Sequence, residues 1–282
     1  MNIHVESLER RPTEWNIRRP NLKPSVNEEP LYYFFNDPTI SMILSAFSGS
    51  IPEMERQFIH SMRQYQDFIQ DPQLQKDVRA FIGQEAHHSN EHKTINNYFE
   101  QAGLDMKTID QHMKKVMNRW KLNLSAKQQL AHTVCLEHFT GLMADFGLRK
   151  RPDVVNQASN ETMLSLWTWH LIEEAEHKSV AYDLYLETVD EPIRLRLTML
   201  YITTFMLAFN GWHTTRLLIQ INEHRNMKSL WNGAKFLFGK KGMVTSMFKD
   251  YLDFYRLDFH PWDHDNRKEL EEWKTRFIGN KY

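Results

Sequence analysis

His170-Leu171-Ile172-Glu173-Glu174-Ala175-Glu176-His177 is the stretch whose reading decides the fold. On a helix, His170, Glu174 and His177 stand at i, i+4 and i+7, so all three project from one face. Met163 and Trp167 precede them on that face, and Ala181 and Leu184 follow. Three coordinating groups therefore interrupt an apolar stripe, where an unpaired charge is costly to bury. A metal ion would satisfy them. A second Glu-x-x-His, Glu85 to His88, points the same way.

Working outward, the apolar positions recur at intervals of three and four on further long helices. A short helix is expected over Thr39 to Phe47, ended by Ser48-Gly49-Ser50. The capping box Ser50-Ile51-Pro52-Glu53 then opens the first long helix, with Glu55 one turn before Phe58 on its stripe. Asp71-Pro72 opens the second, whose seam is Leu74, Val78, Phe81, Glu85, His88, His92, Ile95 and Phe99, and Gly103 ends it. Residues 104–124 link onward with a short amphipathic helix of their own. Ser125 caps the third long helix, with Leu130, Val134, Glu137, Gly141, Ala144 and Leu148 on its seam, where the small residues leave room on the bundle axis. The fourth is expected over about 161–189. A fifth core helix follows over 195–221; Arg196, Asn210, His213 and Arg216 interrupt its apolar run, so it is too short to span a membrane, and contact with a membrane surface is the second option for it.

The fold expected is all-α: a ferritin-like four-helix bundle with an additional apolar helix and a helical or irregular C-terminal tail from about 228. One helical domain covers 31–282, preceded by a polar, proline-marked arm over 1–30. Ten glycines and ten prolines in 282 residues agree with long helices.

Side by side, the seams bring Glu55, then Glu85 and His88, then Glu137, then Glu174 and His177. That order, a Glu from each of two helices and a Glu-x-x-His from each of two others, is the donor pattern of carboxylate-bridged two-metal sites in helical bundles. Carboxylate oxygens suit iron or manganese and can bridge two ions, and one imidazole per ion leaves positions open. The cofactors expected are two metal ions, iron first, with manganese or zinc as alternatives. His170 and His92 lie one turn from these donors, each able to be a seventh ligand or a buried histidine held by a neighbour. Glu53 is read as a cap, Glu91 as a solvated acid, His87 as peripheral, and Glu173 and Glu176 as outward or supporting groups.

Bulk properties remove other classes. Lys plus Arg number 35 against 36 Asp plus Glu, which argues against nucleic acid. The single Cys135 excludes a disulfide framework and a cysteine zinc site and fits a reducing compartment. Met1 to Arg11 holds no apolar signal segment, so the location expected is cytoplasmic, with the inner-membrane surface as a variant.

The chain resembles a bacterial family described as predicted metal-dependent hydrolases. The resemblance rests on Ile51-Pro-Glu-Met-Glu-Arg-Gln-Phe58, Phe81-Ile-Gly-Gln-Glu-Ala-His-His88 with His92, Leu136-Glu-His-Phe-Thr140, Trp169 to Lys178, and Phe259-His-Pro-Trp-Asp263. It covers most of 36–265 and leaves the N-terminal arm outside. The ligand pattern is also similar to that of di-iron N-oxygenases of aryl amines, whose His-x-x-x-Glu-x-x-His carries an extra histidine ligand. That likeness implies His170 as the seventh ligand. The function expected first is an O2-dependent oxidoreductase acting on a small organic, apolar substrate with a separate electron donor. A two-metal hydrolase and a non-catalytic iron-binding bundle are the alternatives, and a homodimer is an open option for the assembly.

Overall fold

The Asp37 carboxylate opens the first helix by accepting from the Thr39 and Ile40 N–H groups at 2.9 and 3.1 Å. Pro38 follows at a position that needs no donor. The computed structural model describes residues 31–159 and 161–278, so the expected arm lies outside the described residues. Helix α1 (Pro38–Arg63) runs unbroken through the segment expected to interrupt it. Gly49 is there for packing: a Cβ on it would come within 2.9 Å of Ile109 Cγ2. Ser50 donates back to the Phe47 carbonyl at 2.7 Å rather than capping a new helix. Pro52 leaves the Ser48 carbonyl without its helical donor, and Asn96 Nδ2 supplies one at 2.8 Å. The capping box is thus a mid-helix proline whose lost hydrogen bond is replaced from a neighbour.

Asp71 caps α2 (Pro72–Gln101) through the Gln73 N–H, and Gly103, at φ 98°, turns the chain beyond its end. The expected amphipathic linker is α3 (Met106–Asn123), which buries Met106, Ile109, Met113, Met117 and Trp120. The Ser125–Gln128 capping box is present and opens α4 (Ala126–Asp145), which closes in a π turn over Phe146–Lys150. Phe34 forms an isolated bridge to Ala158, and no strand is found among the described residues. The chain is all-α.

The fourth long helix is divided. Helix α5 (Glu161–His177) ends at Lys178-Ser179, and α6 (Val180–Thr188) resumes. The interruption places Lys178 inward, where Nζ donates to the His264 carbonyl at 2.6 Å and Asn266 Oδ1 at 2.9 Å and lies 4.0 Å above the Trp262 ring. Burial pulls this ammonium down to about 7. Gly141 serves the same turn: a Cβ on it would press on Lys178 Cβ at 3.2 Å, so it makes room for Lys178 and not for the bundle axis.

Helix α7 (Pro192–Gln220) buries Leu195, Met199, Ile202 and Leu217 against α1 and α4. That face joins the main core, as expected, while the other carries Leu207 and Trp212 at 63% and 64% exposure. The tail is mostly helical: α8 (Met227–Phe238), α9 (Met243–Asp253), a short turn over Pro261–Asp263 and α10 (Arg267–Ile278). Among the described residues no helix is long and apolar enough to cross a membrane. Helices α1, α2, α5 and α4 each touch the next around a closed ring, which fixes where their inward side chains meet.

Candidate metal centre

All seven side chains expected at a metal converge inside that ring. They form two four-donor groups, Glu55, His88, His170 and Glu174 in one and Glu85, Glu137, Glu174 and His177 in the other. Within each group one donor atom per residue lies within 4.8 Å of all the others. None of the seven is more than 2% exposed.

Glu174 belongs to both groups, and its two oxygens divide between them. Oε1 lies 3.0 Å from His170 Nε2 and 3.6 Å from His88 Nδ1, while Oε2 lies 3.4 Å from His177 Nε2. His177 Nε2 also faces Glu85 Oε1 at 3.1 Å and Glu137 Oε2 at 3.3 Å. The helical spacing explains the convergence. On α5, i, i+4 and i+7 carry three donors inward, and on α2, i and i+3 carry Glu85 and His88 to meet them.

The site is electrostatically incomplete without a cation. Both carboxylate oxygens of Glu55, Glu85, Glu137 and Glu174, and both ring nitrogens of His88, are buried without a hydrogen bond. Orphaned buried acceptors at this density are rare in folded proteins. Burial pulls His88 down, but Glu85 and Glu173 beside it outweigh that and push it up to about 10. His177 is likewise driven well up, against its burial, by Glu174 and Glu85. Burial holds Glu137 well above the usual carboxylate range, and Glu174 and Glu85 hold it there further. Four carboxylates in one dry volume demand positive charge; here protons on the imidazoles provide it, and divalent cations fit the same donors.

A supporting layer fixes the rings. Asn96 Nδ2 is committed to the Ser48 carbonyl, so its Oδ1 accepts from Ser48 Oγ at 2.8 Å. Ser48 Oγ then accepts from His92 Nδ1 at 2.8 Å, and His92 Nε2 accepts from His170 Nδ1 at 2.9 Å. This order of donation leaves His170 Nε2 unprotonated and facing Glu174. His92 belongs to neither donor group. Burial, then His170 and His88, keeps it well below its usual range, as a neutral acceptor requires.

A second relay reaches His177. Its Nδ1 donates to Gln84 Oε1 at 3.0 Å, Gln84 Nε2 donates to Glu176 Oε2 at 3.2 Å, and Lys274 Nζ on α10 meets Glu176 Oε1 at 2.8 Å. Glu173 Oε2 lies 3.2 Å from His88 Nε2, behind the nitrogen that faces Glu85 and Glu174. Glu173 and Glu176 are therefore buried supports and not outward acids. Glu91 and Glu53 are also buried, at 6% and 7% exposure, so neither is solvated; Glu53 pairs with Arg56 instead of capping a helix. His87 stays peripheral to both donor groups. Sequence reading missed Gln84, Lys274, and Ser48 with Asn96, and no spacing in the chain marks them.

Phe259-His-Pro-Trp-Asp263 acts at the end of the ligand helix. His260 Nε2 pairs with Asp183 Oδ1 at 2.8 Å, Trp262 Nε1 donates to Ser179 Oγ at 3.1 Å, and Tyr182 OH donates to the Phe259 carbonyl at 2.7 Å. Together they pin the α5–α6 break one residue after His177.

Residues 17–265 match the family described as predicted metal-dependent hydrolase. The match begins inside the N-terminal arm, which the sequence resemblance had left outside. No curated protein and no solved structure matches the chain, so the likeness to di-iron N-oxygenases gains no support. The chain belongs to the family of predicted metal-dependent hydrolases.

Proposed function

We propose that the chain is a two-metal-dependent hydrolase. Glu55, His88 and His170 would hold one ion and Glu85, Glu137 and His177 the other, with Glu174 common to both donor groups. The observation that carries this reading is the division of Glu174, with Oε1 toward one donor group and Oε2 toward the other. Family membership favours hydrolysis as the reaction. Two bound divalent ions would lower the pKa of water and polarise the bond to be cut, an ester, amide or phosphate.

The chain's own residues set the conditions for that chemistry. His92 and Gln84 hold the Nδ1 protons of His170 and His177, so a cation that displaces the His177 Nε2 proton would meet both rings through Nε2. The Trp169 ring stands edge-on to His88 at 4.8 Å, and Phe81 packs against His177 at 4.8 Å, which excludes bulk water beside the donors. Low dielectric there strengthens every charge interaction.

One observation favours a second reading, O2 activation by a di-iron form. Every donor is at least 98% buried, and a diatomic gas reaches such a centre more readily than a bulky ester does. Metal analysis of protein from its native cell, followed by parallel assays, separates the two. The hydrolase reading expects metal-dependent cleavage of a panel of esters, amides and phosphates, lost in Glu174→Ala, with no O2 uptake. O2 consumption and new near-ultraviolet absorption by the Fe(II)-loaded protein, without hydrolysis, would overturn it in favour of the second.

A further inference from the structure

Residues 224–249 contain six Lys and Arg and no Asp or Glu, in a chain whose net charge is −1. They form the turn before α8, α8 itself, the turn Gly239-Lys240-Lys241-Gly242, and the start of α9. All six cations (Arg225, Lys228, Lys235, Lys240, Lys241 and Lys249) are exposed. No ion pair engages any of them among the described residues. Large apolar side chains stand out between them: Met227 is 74% exposed, Trp231 and Phe238 62% each, and Phe248 55%. Lys235 Nζ lies 5.3 Å from the Trp231 ring centroid, so cation and aromatic share one surface.

The hairpin is anchored by small residues. Gly233 lets α8 lie directly on α1, because a Cβ there would meet Thr39 Cγ2 at 2.3 Å. Gly239 and Gly242 close the turn so tightly that a Cβ on either would strike backbone atoms at 2.5 and 2.7 Å. Beneath the turn lies a cavity of about 770 Å³, lined among others by Arg151, Trp231, Lys235, Lys240 and Lys241. Arg151 holds the rim by donating to the Lys241 carbonyl at 2.6 Å. The side chains kept at the surface are thus aromatics flanked by exposed cations, the composition of a segment that lies in a membrane interface.

We propose that α8, the Gly239–Gly242 turn and the first part of α9 dock the protein on an anionic lipid bilayer, with Trp231 and Phe238 entering the interface and the lysines meeting lipid phosphates. Charge selects the occupant. A second copy paired on this face would set six cations against six more, with no acid in the segment to offset them. A bilayer of anionic headgroups supplies the opposite charge together with an apolar phase for the aromatics. The apolar run of α7, read from sequence as the membrane-surface option, has three arginines over 29 residues and lacks this density of charge.

Co-sedimentation of the full, metal-loaded chain with phosphatidylcholine vesicles, with and without phosphatidylglycerol, tests the proposal. Binding is expected only with phosphatidylglycerol and falls as salt rises. Each lysine at the surface is worth about fivefold, so Lys240→Gln with Lys241→Gln should weaken it roughly 30-fold. Trp231→Gln should remove the part that resists salt. Both changes lie on exposed side chains and should leave the melting temperature unchanged; if either variant unfolds, Arg225→Gln with Lys228→Gln carries the same expectation. The proposal fails if the chain ignores phosphatidylglycerol, or if the lysine variant binds like the parent. It also fails if millimolar inorganic phosphate displaces the protein, or if Trp231→Gln instead dissolves a stable dimer.

Discussion

Glu137→Gln separates the two donor groups, because Glu137 belongs to one of them only. The bound metal should fall from two ions to one, the survivor held by Glu55, His88, His170 and Glu174. At a metal concentration 100 times Kd, one lost ion removes about 2.7 kcal/mol of stabilisation. For a chain of 282 residues, an unfolding entropy of about 2.1 cal/mol/K per residue gives roughly 0.6 kcal/mol per degree, so the loaded variant should melt about 4–5 °C lower. The metal-free comparison moves the other way. Burial, then Glu174 and Glu85, raise the Glu137 carboxyl well above its usual range. A carboxyl raised in this way binds its proton more tightly folded than unfolded. Its charge therefore costs stability as pH rises above the unfolded value near 4.5. Glutamine carries no such cost, so the metal-free variant should be more stable than the metal-free parent at neutral pH and lose less between pH 5 and 8. Elemental analysis and thermal melts with and without chelator read both effects. Two tightly held ions in the variant, or a metal-free variant that melts below the parent, would refute this assignment.

Metal affinity should rise with pH above neutrality, because the proton that Glu85 and Glu173 hold on His88, raised to about 10, must leave before the ring can ligate. Chelator competition should give about a tenfold gain per pH unit for each proton released, and a flat profile would contradict it. His92→Leu removes the acceptor that orients His170 and should cost 10–100-fold in affinity for one ion only, visible as two separated steps in a calorimetric titration. Lys274→Met leaves Glu176 without its ammonium partner. It should cost about 1–3 kcal/mol in chemical denaturation and also weaken metal binding, which a purely structural role for α10 would not do. Gly233→Ala should destabilise the fold by about 1–3 kcal/mol with no change in bound metal, since the added methyl meets Thr39 and lies away from the donors.

The donor-bearing helices were legible because they obey a simple period. Where Leu74, Val78, Phe81, Glu85 and His88 alternate four and three, the face is determined whatever the partner. The reading failed where long-range partners override local signals. Ser50-Ile51-Pro52-Glu53 has every mark of a helix start, yet Asn96, 44 residues after Pro52, supplies the missing donor and the helix continues. The spacing of Glu173 and Glu176, off the seam, left outward and supporting places both open, and His88, Gln84 and Lys274 decide for the inside. The interruption of the fourth helix is set by Lys178, whose carbonyl, amide and aromatic partners all come from the tail. On α7 the core reading holds for Leu195, Met199 and Ile202 but not for Leu207 and Trp212, because hydropathy records what a residue prefers and not what covers it.

Lys274 has a consequence for the order of events during synthesis. Every candidate donor has left the peptidyl-transferase centre by His177, but the ammonium that completes the Lys274–Glu176–Gln84–His177 chain is added about a hundred residues later, on the order of ten seconds at ordinary translation rates. During that interval Glu176 is without its ammonium partner, and the relay behind the His177 ring is incomplete. Docking of α10 then closes that interval.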